Sequence, residues 1–133
     1  MGKVHHIGWI VKNIENSKRI LEFLMGSETE TGDTVADNDR LINISFMKSQ
    51  GLCYELIEPV SHDSPVMEIL KREGPIMYHI CFEVEDIDHY IEILIGKGML
   101  LLYPKKPAVA ISNRNVAFLY EKSIGLIELL ETE

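Results

Sequence analysis

The sequence predicts an α+β fold of two tandem βαβββ modules, and three repeated phrases predict it. HHIGWIVKNI at residues 5–14 returns as YHICFEVEDI at residues 78–87, setting His6 against His79, Asn13 against Asp86 and Ile14 against Ile87, each 73 positions apart. NISFM at residues 43–47 returns as NVAFL at 115–119, 72 positions on, so one residue has been gained or lost in a connection. YELIE at 54–58 returns as IELLE at 127–131, restoring the spacing of 73. Repetition at one spacing along the whole chain marks a duplicated structural unit. With 133 residues, the two copies must pack together rather than fold as independent domains.

Each copy opens on a β-branched and aromatic run, residues 6–11 or 79–84, that reads as a strand. A helix follows. In the second copy Asp86 is placed to cap it, and Ile87, Tyr90, Ile91, Leu94 and Ile95 share one face before Gly96 and Gly98 end it. In the first copy the helix is predicted over residues 14–25, with Ile14, Ile20, Leu21 and Leu24 as its apolar positions and Gly26 at its end. Three strands then close each copy: residues 29–34, 41–48 and 52–58 in the first, and 100–103, 115–120 and 126–130 in the second. The connecting phrase PVSHDSPVMEILKREGP predicts a short helix with Ser64 as cap, Pro65 at its first position and Gly74-Pro75 as its stop. The expected organisation is one domain: module one over residues 1–58, a connector over 59–77 and module two over 78–133.

Charge and composition narrow the functional classes. A formal net charge of −8 repels a nucleic-acid backbone or an anionic membrane, so the expected partner is a small molecule. No apolar run approaches the length of a bilayer span and no leader-like apolar segment opens the chain, so a soluble cytoplasmic protein is expected. Cys53 and Cys81 fall far apart within strand-like runs and read as small core thiols.

Strand alternation sorts the polar residues by face. His6 shares a face with Gly8 and Ile10, which turns His5 the other way, toward solvent. Glu55 shares a face with Cys53 and Ile57, and Glu128 lies between Leu126 and Leu130 on an apolar face. Burying an ionised carboxylate costs several kcal/mol or more unless a partner compensates, and a divalent cation would compensate two. Taken singly, each of these residues reads as a solvated strand position beside a core. Taken as matched pairs, with His6 to Glu55 and His79 to Glu128 both spanning 49 positions, they form two half-sites of one imidazole and one carboxylate. Together these give an N2O2 ligand set with room for water or substrate.

HHIGWIVKNI, YELIEP, YHICFEVEDI and LIELLE together resemble the vicinal-oxygen-chelate superfamily, which includes glyoxalase I, methylmalonyl-CoA epimerase, extradiol dioxygenases and bleomycin-resistance proteins. The resemblance covers both halves and implies a mixed sheet curled around a metal, a homodimer, and His6, Glu55, His79 and Glu128 as ligands. Within the superfamily the complete His/Glu/His/Glu set is similar to bacterial glyoxalase I, while the lack of a carboxylate among residues 41–47 departs from methylmalonyl-CoA epimerases. That likeness implies a lactoylglutathione lyase, in which a thiol adduct of methylglyoxal and glutathione is isomerised through an enediolate. It implies Glu128 as the base, Glu55 as the lesser candidate and Ni(II) as the metal, with Co(II) and Zn(II) as alternatives. Arg114, entering the NVAFL strand from a loop, is the best-placed cation for an anionic thiol group. The connector, ELIEPVSHDSPVMEILKREGP, is instead similar to methylmalonyl-CoA epimerases, the alternative enzyme. A metal-free, drug-sequestering binding protein is the alternative from another class, and the intact ligand set argues against it.

Overall fold

A computed structural model describes residues 2–133. In chain order its elements are β1 (Lys3–Ile10), α1 (Ile14–Met25), β2 (Glu30–Thr31), β3 (Val35–Asp37), β4 (Ile42–Ser49), β5 (Leu52–Pro59), α2 (Pro65–Glu73), β6 (Ile76–Val84), α3 (Ile87–Gly96), β7 (Leu100–Ala108), β8 (Arg114–Glu121) and β9 (Gly125–Glu131). This is the α+β class with mixed strand directions that the repeat predicts. Among the described residues, no helix is long and apolar enough to cross a membrane.

The chain divides into two compact units, Ile7–Tyr78 and a second that joins the residues through His6 to His79–Glu133. In the unit of Ile7–Tyr78, β5 lies between β1, which runs parallel to it, and β4, which runs antiparallel. The short strands β2 and β3 both pair with β4. The other unit repeats this pattern, with β9 between parallel β6 and antiparallel β8, and β7 beyond β8. Each module's helix covers one face of its strands. Val84, Ile87, Ile91, Met99, Ala117, Leu119 and Leu129 form the buried cluster under α3, while Val11, Ile14, Met47 and Leu56 form the one under α1.

The duplication extends to polar detail. Asn13 and Asp86 cap their helices by accepting from the backbone N–H three residues on, at Asn16 and His89. The first helical N–H, of Ile14 or Ile87, donates to a carboxylate 44 residues later, Glu58 at 2.9 Å or Glu131 at 3.2 Å. The same carboxylates accept from the side-chain amides of Asn43 at 3.2 Å and Asn115 at 3.1 Å. Helix, closing strand and the strand beside it are thereby clasped at one point in each module. Glu58 and Glu131 satisfy a helix N-terminus whose first amides have no partner within the helix.

Several elements depart from expectation for identifiable reasons. The buried face of α1 is Ile14 and Lys18, with Leu21 and Met25 packed beside them, whereas Ile20 is 49% and Leu24 70% exposed. Residues 14, 18, 21 and 25 follow the helical repeat closely. Lys18 joins this face by laying its methylenes along the core and donating from Nζ to the Gly32 carbonyl at 3.0 Å. Of the strand expected over residues 29–34 only β2 forms, and β3 follows beyond it, because the Gly32 carbonyl accepts from Lys18 and from Ser45 Oγ instead of a strand. β7 runs on past Pro104 and Pro107 to Ala108, with register shifts on either side of Tyr103. It pairs only with β8 in its unit, and an outer strand with bulges tolerates the amides that proline lacks. Ser64 holds the cap position of α2 with no capping bond, its hydroxyl donating to the Arg40 carbonyl at 3.3 Å instead.

A half-buried ion pair distinguishes the modules. Glu83 and Arg114 are hydrogen-bonded through Arg114 Nη2, where the repeat places the apolar Ile10 and Ile42 in the other module. Glu83 is held below the usual carboxylate range, first by that hydrogen bond from Arg114.

Two outcomes follow. Alanine at Glu58 or Glu131 leaves a helix N-terminus and an asparagine amide unsatisfied, so each change lowers the unfolding free energy by about 1–3 kcal/mol, read from denaturant titration. Because the Glu83 carboxyl is depressed in the folded state, its contribution is complete above its ordinary value of 4.5 and is lost as pH falls through the folded value. The stability gap between the parent and Glu83→Gln therefore narrows on acidification, and a gap independent of pH contradicts the assignment.

Candidate metal centre

Strand register determines which side chains meet. In the unit that contains His79–Glu133, Glu128 on β9 lies opposite Cys81 on parallel β6 and Phe118 on antiparallel β8. His79 stands two residues before Cys81 and so shares its face. His6 ends the β1 segment that belongs to this unit. All three are buried, with His6 1%, His79 4% and Glu128 4% exposed.

Their donor atoms converge. Nε2 of His6 and Nε2 of His79 are 3.3 Å apart, and each lies 3.0 Å from Oε1 of Glu128. That oxygen is buried and accepts no hydrogen bond of acceptable geometry, although two ring nitrogens border it. With bonds of roughly 2.0–2.2 Å to imidazole nitrogen and carboxylate oxygen, donors on adjacent corners of an octahedral ion stand about 3 Å apart. The observed separations thus fit a divalent cation held by two histidines and one carboxylate on one face of its coordination sphere. Burial by itself pushes the Glu128 carboxyl up, but the two adjacent imidazoles more than offset it and hold the group well below the usual carboxylate range. Glu128 is accordingly an anion at neutral pH.

Two aromatic side chains stiffen this arrangement. The Phe118 ring meets His79 edge to face with centroids 5.4 Å apart, and Tyr103 meets Phe118 in the same manner at 5.9 Å. Neither residue stands out in the sequence. Alternation along β8 would have placed Phe118 on the ligand face once Glu128 was assigned to it.

Glu55, the remaining sequence candidate, lies on β5 in the unit of Ile7–Tyr78, where it is buried with 5% exposure. There it faces Gly8 on β1 and Phe46 on β4, as Glu128 faces Cys81 and Phe118. It occupies the same register position as Glu128 within its own module. Arg114, the candidate for an anionic substrate group, has its guanidinium engaged by Glu83 and donates from Nε to the Glu131 carbonyl at 2.8 Å.

His5 corrects the sequence reading. Alternation turns it outward toward solvent, yet it is half-buried and its Nδ1 lies 2.8 Å from Nδ1 of His6. The two rings stand nearly perpendicular, at 81°, which lets neighbouring residues of one strand meet along their edges. Burial, then the neighbouring His6, lowers the His5 imidazole below its ordinary value, so the ring is neutral. Cys81 is a buried cysteine near this pair, and Cys53 is half-buried.

Known proteins bear on this geometry. A sequence profile of the glyoxalase/bleomycin resistance protein/dioxygenase superfamily matches residues 5–118. A mitochondrial methylmalonyl-CoA epimerase of Dictyostelium discoideum is 27% identical over 98% of this chain and 79% of its own. An ethylmalonyl-CoA/methylmalonyl-CoA epimerase of Cereibacter sphaeroides is 26% identical over 97% of both chains. Among solved structures, a variant of the methylmalonyl-CoA epimerase of Streptomyces coelicolor, in complex with 2-nitronate-propionyl-CoA, superposes with a TM-score of 0.81 at 22% identity, covering 98% of this chain and 96% of its own.

These relatives overturn the expectation of a lactoylglutathione lyase, and with it the methylglyoxal and glutathione substrates. That expectation leaned on the absence of a carboxylate from residues 41–47, and β4 indeed carries none. The inference failed because inversion at carbon needs two acid/base groups without specifying the strand that supplies them. The profile match spans most of both modules and includes His6, Glu55 and His79, and on that match this chain belongs to the glyoxalase/bleomycin resistance protein/dioxygenase superfamily.

Proposed function

We propose that this chain is a divalent-metal-dependent epimerase acting on the acidic carbon of a methylmalonyl-CoA-type thioester. The observation that carries the reading is the convergence of His6, His79 and Glu128 on one point at 3.0–3.3 Å. Curated relatives along nearly the whole chain, named as epimerases of methylmalonyl-CoA, supply the substrate class.

The reaction removes a proton from a carbon beside a thioester carbonyl and returns one to the opposite face. A bound divalent cation supplies an electrophile that stabilises the enolate-like charge developing on the substrate oxygen. His6 and His79 would hold that cation through Nε2 and Glu128 through Oε1. Glu55, matched to Glu128 by the repeat, is the fourth ligand that the sequence reading assigns. Inversion needs two groups able to exchange protons, and the two buried repeat-related carboxylates are the ones we assign. Glu128, the carboxylate that converges with the two imidazoles, takes the proton, and Glu55 serves as its counterpart. The preference for nickel rested on the likeness to glyoxalase I. Without that likeness, nitrogen and oxygen donors suit Ni(II), Co(II), Zn(II) and Mn(II) alike. A homodimer remains part of the proposal and is measurable by light scattering.

The test uses protein stripped of metal and reloaded with each of these cations, incubated with a single epimer of methylmalonyl-CoA in deuterated water. Reloaded protein interconverts the epimers and incorporates deuterium at the acidic carbon, whereas stripped protein does neither. Glu128→Gln lowers kcat by about 10²–10⁴-fold, the range of a lost general base. Absence of exchange with every cation contradicts the proposed reaction, and full activity in Glu128→Gln contradicts the assignment of the base.

A further inference from the structure

We propose that His5 is a positioning residue that fixes the proton of His6 on Nδ1 and so leaves Nε2 bare to bind the cation. The inference rests on the metal reading above and extends it to a residue outside the ligand set.

The argument begins with the two nitrogens of His6. Nε2 lies 3.0 Å from Glu128 Oε1 and 3.3 Å from His79 Nε2, while Nδ1 lies 2.8 Å from His5 Nδ1. A short N···N contact between two imidazoles requires one proton between them, and only two arrangements supply it. If His5 donates, neutral His6 must accept at Nδ1 and carry its own proton on Nε2, directed at Glu128, which closes the position to a metal. If His6 donates, His5 accepts at Nδ1, and the lone pair of His6 Nε2 faces the point shared with His79 and Glu128. Only the second arrangement is compatible with a ligand.

Histidine ligands generally donate their second ring N–H to a fixed acceptor, which sets both tautomer and orientation. Here the acceptor is the preceding residue on the same strand. Because that acceptor is an imidazole rather than a carboxylate, it orients His6 without adding a further buried carboxylate to the site. The repeat gives this arrangement to one half-site only, since the position matching His5 before His79 is Tyr78.

The proposal is tested with His5→Leu, which removes the acceptor, and His5→Asn, whose amide oxygen restores one near the place of Nδ1. In Zn(II)-loaded parent protein labelled with nitrogen-15 at histidine, His6 Nδ1 is expected to be protonated and to show scalar coupling through the hydrogen bond to His5 Nδ1. Chelator competition with Zn(II) and the absorption spectrum of the Co(II)-loaded protein then read the site without any assay of turnover. His5→Leu is expected to weaken metal affinity roughly 10–100-fold, the usual effect of removing a ligand's hydrogen-bond partner, and His5→Asn to recover most of it. An unprotonated His6 Nδ1 in the parent overturns the proposal, as does unchanged affinity in His5→Leu. If the parent itself takes up no divalent cation, the metal reading fails and carries this inference with it. Uptake that is indifferent to residue 5 overturns the inference alone.

Discussion

Glu128 is an ionised carboxylate with almost no access to water, and keeping it charged constrains everything placed around it. Desolvation opposes the charge, and His6 and His79 at 3.0 Å are what oppose desolvation. Removing one partner from such a buried set is costly because the remaining charge is left uncompensated. The framework that carries these residues is correspondingly firm. β9 lies between two paired strands, Phe118 packs on the ring of His79, and Glu131, three residues from Glu128, clasps the start of α3. The clasp and Glu128 occupy opposite faces of one strand. A single seven-residue element thus anchors its helix with one carboxylate and presents the other to His6 and His79.

Much of this was legible because duplication repeats spacing as well as composition. A matched histidine and glutamate at one separation in both modules identifies half-sites that no single residue would reveal, and the register confirms that Glu55 and Glu128 occupy equivalent positions. The cap at Asp86 was legible, and the repeat sets Asn13 at the matching position, where it caps the other helix. Less was readable where the energy resides in geometry between neighbours. Strand parity places His5 and His6 on opposite faces, but a pair of perpendicular rings still joins them through Nδ1. Parity describes the direction of Cβ and does not constrain the atoms beyond it. A hydrophobicity pattern similarly overlooks Lys18, whose charged end finds a carbonyl while its stem completes the buried face of α1.

The substrate assignment shows a different boundary. Isomerising a thiol adduct and epimerising a thioester both begin by removing a proton from a carbon whose developing charge settles on oxygen. A buried cation with neighbouring carboxylates serves either reaction. The ligand set therefore reports the chemical step more faithfully than the molecule undergoing it. The relatives matched along nearly the whole chain are named for acyl-CoA substrates, although most of that likeness lies outside Glu55 and Glu128.

The central claim is that His6, His79 and Glu128 form a nitrogen and oxygen centre for one divalent cation. X-ray absorption of protein loaded with one equivalent of Co(II) or Zn(II) tests it most directly. The account predicts an inner shell of nitrogen and oxygen only, with outer-shell scattering from two imidazoles and with that signature lost in His79→Ala. Sulfur in the inner shell would place the ion against Cys81 instead, and a spectrum unaltered by His79→Ala would place it elsewhere; either result contradicts the account.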